Sequence, residues 1–331
     1  MTRAVVHIGY HKTATTWFQS HFYPAVKNAR YIPRVAVRKA LLDDTAFHFD
    51  ADAARRALGL APGESVAICE EGLSGYLHTG GLLGYLSKEM AQRIKSVFPD
   101  AQIVMLVRNQ PSIIAASYQQ YVKGGGTHSL HRYLFGENYL RGARGEIAKC
   151  PRFTFDHFDY APLVAHYQEL FGKQNVHVFA YEAFRAEPAA FLKDFCARLD
   201  FAVDLGAIAL SSSSNRSYGL LTMAIVRMLN LFTNRTVQDK HYIVHIPFWY
   251  AVARVLGEGL NRLPVFGWAP KSAVLLGEEL RAWIGQRYWR GNLELKALTG
   301  LPLEDYGYAL EAPAEEIAKP AASKLFSWMG N

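Results

Sequence analysis

The sequence predicts an α/β fold in which a central parallel sheet is flanked by helices. Short apolar runs, each long enough for one buried strand, alternate along the chain with segments of helical periodicity. Half of the residues are hydrophobic and 20% are charged, a composition typical of a folded chain with a sizeable core. The predicted strands are residues 4–8, 65–69, 101–107 and 176–182.

Charge and cysteine content limit the classes of function. The net charge of +7 and the pI near 9.2 suit an anionic ligand, which could be a nucleotide, a polysaccharide or a membrane surface. No basic block or nucleic-acid motif is present, so we expect no nucleic-acid partner. The three cysteines have no metal-ligand spacing, and their odd number disfavours a disulfide framework. We therefore expect no metal site and a reduced, cytoplasmic location.

No signal peptide or transmembrane segment is expected. The first predicted strand begins almost at once and leaves no room for a signal peptide. The most apolar stretch, residues 242–256, is interrupted by His245, Pro247 and Arg254 and is too short to span a bilayer.

The turn after the first strand has the features of an anion-binding site. Gly9 permits a sharp turn, and a helix is predicted to begin at Thr13. The first N–H groups of such a helix have no partner within it and point at the ligand. Lys12 adds a positive charge, and three hydroxyls add donors, those of Thr13, Thr15 and Thr16. The turn lacks the Gly-Lys pair of an ATP-binding P-loop.

Two further strands end in residues suited to a site. Glu70 and Glu71 follow the second strand, at the end where α/β sheets place their ligands. One of them could instead cap the next segment. Arg108 follows the third strand, where a P-loop kinase would have an aspartate to hold Mg²⁺. The arginines and lysine of residues 30–39 are expected to form a solvated face, though some could approach an anionic acceptor.

Several motifs, in the same order along the chain, resemble those of bacterial PAPS-dependent sulfotransferases. Residues 7–19, His-Ile-Gly-x-x-Lys-Thr-Ala-Thr-Thr-x-x-Gln, resemble the family's 5′-phosphosulfate loop, which usually has glycine where this chain has Ala14. Residues 70–74 resemble the Ser-Ser-Glu-x-Leu-Ser segment of bacterial members. Arg108 and the following Tyr-Gln-Gln-Tyr-Val-Lys helix resemble the 3′-phosphate site, and residues 175–182 resemble a later strand that ends in Tyr-Glu.

The resemblance covers roughly residues 4–232 and implies a P-loop-like sulfotransferase fold and a reaction. A sulfuryl group would pass from 3′-phosphoadenylyl sulfate (PAPS) to a hydroxyl or amine, leaving adenosine 3′,5′-bisphosphate, with no metal. The acceptor would be a small molecule or a glycan, either carbohydrate or lipid-linked. Lys12 would stabilise charge on the leaving phosphate. Glu71, with a raised pKa, would be the base that takes the acceptor's proton.

The family pattern also implies the cofactor contacts. Trp17 would either stack on the adenine or pack in the core. The 3′-phosphate serine of the family aligns with Ala116, so Ser117 lies one residue late, a rotation of ~100° on a helix. Asn215 and Ser217 would either contact a phosphate or cap the next helix. The implied cofactor-binding residues are His11, Lys12, Thr13, Ala14, Thr15, Thr16, Trp17, Arg108, Ser117, Asn215 and Ser217.

We predict one sulfotransferase-like domain over residues 1–310, with C-terminal helical additions and a loose tail over 311–331. Its cofactor core spans about 1–232, and the helix 220–232, apolar nearly all round, is expected to be buried. The aromatic-rich segment 235–270 could line the acceptor site, cap the core or form a homodimer face. Peripheral contact with a membrane is a further open alternative. Residues 124–160 read as a long irregular stretch.

Two other classes of function remain open from the sequence. One is a nucleotide-dependent kinase, which would require Mg²⁺ and prefer ATP. The other is a non-catalytic scaffold that keeps the nucleotide cradle for partner binding, a reading that Ala14 and the displaced serine favour.

Overall fold

A parallel sheet of five strands, in the order β2-β3-β1-β4-β5, organises the chain. The computed structural model describes residues 3–136, 153–210, 217–235, 240–268 and 272–320. The strands are β1 Ala4–Gly9, β2 Arg30–Ile32, β3 Val66–Cys69, β4 Gln102–Val107 and β5 Val176–Ala180. The predicted α/β class is confirmed, with four of the five strands found from their apolar runs.

Thirteen helices of the described residues surround or follow the strands. They are α1 Thr15–Trp17, α2 Arg34–Leu41, α3 Ala51–Ala57, α4 Tyr85–Val97, α5 Gln110–Lys123, α6 Leu130–Leu134, α7 Ala161–Phe171, α8 Tyr181–Ala186, α9 Pro188–Leu199, α10 Leu220–Leu229, α11 Trp249–Leu260, α12 Ser272–Leu276 and α13 Glu278–Thr299. A π-helical turn, Phe18–Phe22, continues α1, and a 3₁₀ turn with Pro24 ends it.

The register of the sheet brings the site-bearing strand ends together. In β1, Val5 lies opposite Ala67 of β3 and Gln102 of β4. All pairings are parallel, so the carboxyl ends of β1, β3 and β4 meet at one edge of the sheet. The turn after β1, the glutamates after β3 and the arginine after β4 therefore share that edge, which is where open α/β sheets bind ligands.

An aromatic cluster packs on one face of the sheet and fixes the start of the chain's first helical segment. Val5, Val104 and Phe179 of the strands meet Phe18 and Phe195 of the helices. Phe18 and Phe195 are fully buried. Burying each such ring contributes roughly 1.5–3 kcal/mol, so the residues next to the predicted anion site are held by the core.

The chain divides into two compact units. One comprises residues 1–109, 155–214 and 289–310 and contains the sheet. The other comprises residues 110–154, 215–288 and 311–331 and is helical where described. Because the segments of the two units alternate along the chain, the single domain over 1–310 stays a prediction.

Three local expectations differ from the structure. Residues 30–41 contain β2 and α2, for which no strand or helix was predicted. The stretch 124–160 contains α6 and a 3₁₀ helix, Phe155–Phe158. The helix predicted over 220–232 is not buried all round, because Leu221 and Met228 are about half exposed.

The described part of the chain contains no helix with the length and apolarity needed to cross a bilayer.

Candidate active site

The turn after β1 approaches the end of β3 very closely. Gly9 has a φ of +99°, and a Cβ placed on it would lie 3.1 Å from Cα of Glu71. Glycine is required here both by its backbone conformation and by this approach. The turn continues through Lys12 and Ala14, whose φ values of 63° and 67° are left-handed. The family's usual glycine at Ala14 would adopt this conformation without strain.

The threonines of the turn have different roles. Thr13 is buried, and its hydroxyl donates to the carbonyl oxygen of Tyr10, which ties the turn together. The helix begins at Thr15, not at Thr13, and the N–H groups of Trp17 and Phe18 bond to the carbonyl oxygen of Ala14. The N–H groups at the start of α1 have no acceptor within the helix. These N–H groups belong to residues that are expected to bind the 5′-phosphosulfate of the cofactor.

Trp17 packs in the core. Its indole is 7% exposed, meets Phe18 edge-on at 5.2 Å and lies 5.0 Å from the ring of Phe184. The indole Nε1 donates to the carbonyl oxygen of Ala209 over 3.4 Å. Trp17 was expected either to stack on the adenine or to pack in the core. These contacts support core packing and give no support to adenine stacking.

The adjacent glutamates after β3 are both buried but differ in function. Glu70 accepts a hydrogen bond from the N–H of Gly72 over 2.9 Å and so caps the short 3₁₀ helix Glu71–Ser74. Arg34 pairs with it at 2.5 Å. The expectation that one glutamate is a cap is met by Glu70.

Glu71 is held from two sides. Gln19 donates from Nε2 to one carboxylate oxygen over 3.1 Å, and Nη2 of Arg34 lies 2.9 Å from the other. Burial favours the protonated form, but His11 when it is protonated at acid pH, the positive charge of Arg34 and the hydrogen bond from Gln19 together lower the pKa of Glu71. The raised pKa expected for this residue is therefore wrong, because Arg34, which is distant in the sequence, lies beside it.

Arg34 was expected on a solvated face, but its half-exposed side chain also pairs with both glutamates. It begins α2, directly after β2. Because β2 is adjacent to β3 in the sheet, the start of α2 falls beside the end of β3. No local pattern in residues 30–39 signals this pairing.

Arg108 connects the end of β4 to the turn after β1. Its Nη1 donates to the carbonyl oxygen of Lys12 over 2.8 Å, and its guanidinium lies 4.7 Å from the ring centre of Tyr181. Tyr160 donates to the carbonyl oxygen of Arg108 over 2.6 Å. Burial lowers the pKa of Arg108, but an arginine remains protonated at neutral pH. Glu182 fixes the same strand end by accepting from the N–H of Asn109 over 2.9 Å.

Three histidines of the same unit influence one another's charge near Lys12 and Glu71. Burial lowers the pKa of His11 to about 4, although Glu71 opposes this, and Lys12 lowers it further. Burial, together with the charge of His11, lowers the pKa of His78 and of His157 to about 3 each. All three are neutral at pH 7. His78 and His157 were missed because nothing in their local sequence distinguishes them from ordinary core residues.

The remaining predicted cofactor residues belong to the second unit. Ser117 is fully buried, and its hydroxyl donates to the carbonyl oxygen of Ile113 over 2.9 Å within α5. Ser217 is exposed, and its carbonyl oxygen accepts a hydrogen bond from Asn261. Asn215 lies outside the described residues. The hydroxyl proton of Ser117 is thus engaged within its own helix.

The parallel sheet, with Lys12, Arg108 and Glu71 at its carboxyl edge, defines a P-loop-like α/β protein with an anion-suited site. Residues 86–204 match the sequence model of the Sulfotransferase family. This match confirms the resemblance to sulfotransferases that was inferred from the motifs. The matched segment includes β4, Arg108 and β5, and the turn around Lys12 precedes it.

Three solved structures are similar to the chain. A sulfotransferase from Alicyclobacillus acidocaldarius is 20% identical over 65% of this chain and 86% of its own, with a TM-score of 0.46. A mouse sulfotransferase complexed with PAP is 16% identical over 89% of this chain and 88% of its own, with a TM-score of 0.35. A sulfotransferase domain from the curacin biosynthetic pathway is 11% identical over 86% of this chain and 97% of its own, with a TM-score of 0.32. None of the curated protein sequences compared with the chain matches it.

Proposed function

We propose that this sulfotransferase transfers the sulfuryl group of PAPS to a hydroxyl or amine of a small-molecule or glycan acceptor. The observation that carries the proposal is the hydrogen bond from Arg108 to the carbonyl oxygen of Lys12. It joins two cationic residues from the ends of neighbouring parallel strands. A cofactor with a 5′-phosphosulfate and a 3′-phosphate has two separate anionic groups for such a pair.

The residues at this edge fit that cofactor in their chemistry. Lys12, Arg108 and the N–H groups that begin α1 are all donors, and two of them are cations. When bound, PAPS supplies the sulfuryl group and a phosphate as its leaving group. Lys12 would hold the phosphosulfate side and stabilise the negative charge that develops there. Arg108 would hold the 3′-phosphate, which is the kind of ligand that a planar guanidinium binds best.

Glu71 would take the acceptor's proton. Its lowered pKa keeps it ionised across the neutral range, so the carboxylate can accept a proton without first losing one. Gln19 and Arg34 hold its two oxygens in place. A base with a lowered pKa is weak, so its contribution depends on its position more than on its proton affinity.

Nucleotide preference tests the proposal against a kinase. We would titrate the protein calorimetrically with adenosine 3′,5′-bisphosphate and with ATP, each with and without Mg²⁺. The proposal predicts that adenosine 3′,5′-bisphosphate binds more tightly than ATP and that Mg²⁺ does not strengthen it. Tighter, Mg²⁺-dependent ATP binding would overturn the proposal in favour of a kinase.

Transfer separates an enzyme from a non-catalytic scaffold. Radiolabelled PAPS would be incubated with a panel of sugar, lipid-linked and aryl alcohols and amines, with a Glu71→Gln variant beside the wild type. Label transfer that is lost in Glu71→Gln, while adenosine 3′,5′-bisphosphate still binds, supports the assigned base. Nucleotide binding by the wild type without transfer to any member of a broad panel would favour the scaffold.

A further inference from the structure

We propose that the second unit carries a surface that docks on anionic phospholipid bilayers. This apolar surface is formed by the loop 241–248, the outward stripe of α11 and the turn 263–268. It is independent of the cofactor residues and of the proposed reaction. Large apolar patches on a protein surface mark sites that bind another protein or a membrane.

The loop 241–248 exposes large apolar side chains to the solvent, although its backbone is hydrogen-bonded to the rest of the unit. All eight of its residues are exposed, with Ile243 at 71% and Phe248 at 88%. The N–H of Ile243 donates to the carbonyl oxygen of Leu231 over 2.8 Å, and that of Ile246 to Phe232 over 3.0 Å. The backbone of the loop is thus anchored to the 3₁₀ turn Asn230–Phe232 that follows α10, while its apolar side chains face the solvent.

The helix that follows this loop is apolar on both sides. Its inner side is packed, since Ala253 is buried and a Cβ on Gly257 would lie 2.6 Å from Val226. On its outer side Val252, Val255 and Leu256 follow one another at helical spacing, and all are exposed. A helix at the surface of a globular protein normally presents polar residues there. The outer stripe of α11 therefore continues the apolar surface begun by the loop.

The turn after α11 extends the surface and adds interfacial residues. Val265 is 72% exposed and Trp268 is 61% exposed. At the other end of α11, Tyr242 is exposed as well. Tyrosine and tryptophan, with an apolar ring and a polar tip, are enriched where a protein meets the headgroup layer of a bilayer. The aromatic residues at both ends of α11 suit a helix that lies in the plane of a membrane surface.

The positive charge of this region favours an anionic bilayer, and not a second copy of the chain, as the partner of the apolar surface. Of the five lysines and arginines in residues 217–268, Arg227 and Lys240 are buried, so the exposed positive charge comes from three arginines. Arg235, Arg254 and Arg262 are exposed, and Glu258 is paired with Arg254 at 3.0 Å. In a two-fold dimer the same patch would face itself and bring like charges together. Anionic headgroups would instead neutralise the arginines while the apolar side chains enter the bilayer.

Vesicle binding tests the proposal directly. The full chain would be sedimented with vesicles of phosphatidylcholine alone and with vesicles of phosphatidylcholine and phosphatidylglycerol in equal parts. We expect strong binding to the anionic vesicles, weak binding to the neutral ones, and loss of binding as salt is raised. Failure of the wild type to bind anionic vesicles at low salt would overturn the proposal.

Matched variants locate the binding surface. Phe248→Ser and Val255→Ser should each lower the partition onto anionic vesicles by about tenfold or more, the effect of removing one large apolar side chain from the contact. Phe47, 98% exposed in the first unit, supplies the control, and Phe47→Ser should bind as the wild type does. Arg262→Gln should weaken binding by about fivefold, whereas Arg56→Gln, at an exposed arginine of α3, should not.

Two further experimental outcomes would contradict the proposal that this surface binds a membrane. Equal loss of binding in Phe47→Ser and Phe248→Ser would mean that the contact is not at this surface. A wild-type mass in solution of twice the chain's, falling to that of one chain in Phe248→Ser with no vesicle binding, would assign the surface to a second copy. Because Phe248 and Val255 are exposed, the variants should keep the melting temperature and nucleotide binding of the wild type, which verifies that they are folded.

Discussion

The guanidinium of Arg34 contacts both carboxylates at the end of β3, at 2.5 Å from Glu70 and 2.9 Å from Glu71. One arginine at the start of α2 therefore supports the cap of the 3₁₀ helix and sets the charge state of the proposed base. Arg38, one turn further along, lies 3.6 Å from Glu70. Variants of the two arginines can therefore be compared to test what sets the pKa of Glu71.

Arg34→Gln should raise the pKa of Glu71, because it removes a positive charge that favours the carboxylate. A base acts when deprotonated, so the acid limb of the kcat/KM profile should move to higher pH. In the wild type this limb is expected below pH 4.5, the ordinary value for a glutamate, because the pKa of Glu71 is lowered. Arg38→Gln is the control and should move the limb less. A wild-type limb between pH 6 and 7 would contradict Glu71 and indicate a base with the pKa of an ordinary histidine.

Lys12→Ala should lower sulfuryl transfer by ~10²-fold or more, the scale for losing one preorganised group that stabilises developing charge. The fold should persist, since Lys12 lies in a turn and contributes no side chain to the aromatic core. Lys39→Ala, at an exposed lysine of α2, is the matched control and should transfer normally. Near-normal transfer by Lys12→Ala, measured with the acceptor found in the panel, would remove Lys12 from the mechanism.

Arg108→Ala should weaken binding of adenosine 3′,5′-bisphosphate by about 1.5–3 kcal/mol, the range for a hydrogen bond to a charged group. Binding of adenosine 5′-phosphate, which lacks the 3′-phosphate, should change little. Arg198→Ala removes an exposed arginine that also lies over an aromatic ring and should affect neither ligand. Equal weakening for both nucleotides in calorimetry would mean that Arg108 acts by supporting the turn at Lys12.

Ala14→Gly should leave stability unchanged or raise it by up to about 1.5 kcal/mol. The left-handed φ of 67° costs an alanine roughly 1–2 kcal/mol, and the extra freedom of glycine in the unfolded chain offsets about 0.5–1 kcal/mol of the gain. The same change in Ala53, inside α3, should lower the melting temperature because glycine weakens a helix interior. A destabilisation of Ala14→Gly as large as that of Ala53→Gly would show that the turn is not strained at this alanine.

Acid should unfold the protein through its buried histidines. Burial lowers the pKa of His7 to about 3, as it does for His78 and His157, against an ordinary value of 6.5. Below pH 6.5 the unfolded chain binds protons that the folded chain does not, so stability falls with pH from 6.5 toward 3. Each fully buried histidine should remove about 2 kcal/mol by pH 5.

Circular dichroism during acid titration measures this loss. His157→Gln should move the unfolding midpoint to lower pH, because one acid-titrating group is removed. His48→Gln, at an exposed histidine, should leave the midpoint where it is. Identical midpoints for wild type and His157→Gln would contradict the assignment of acid sensitivity to this residue.

The α/β class, four of the five strands and the positions of Lys12, Glu71 and Arg108 at strand ends could all be predicted from the sequence. These features are local: an apolar run predicts a buried strand, and the polar residue that ends it is adjacent in the chain. Because the strands are parallel, ends that are separate in sequence meet at one edge without further information.

The surroundings of those residues could not be predicted from the sequence and depend on the folded chain. The pairing of Arg34 with Glu71, the lowered pKa of Glu71 and the packing of Trp17 all depend on residues brought together from distant parts of the chain. The outward apolar stripe of α11 is likewise undecided by its sequence, since a helix that is apolar on both sides can bury either one. Periodicity identifies the apolar residues of an element, but only its neighbours in space determine which of them meet water.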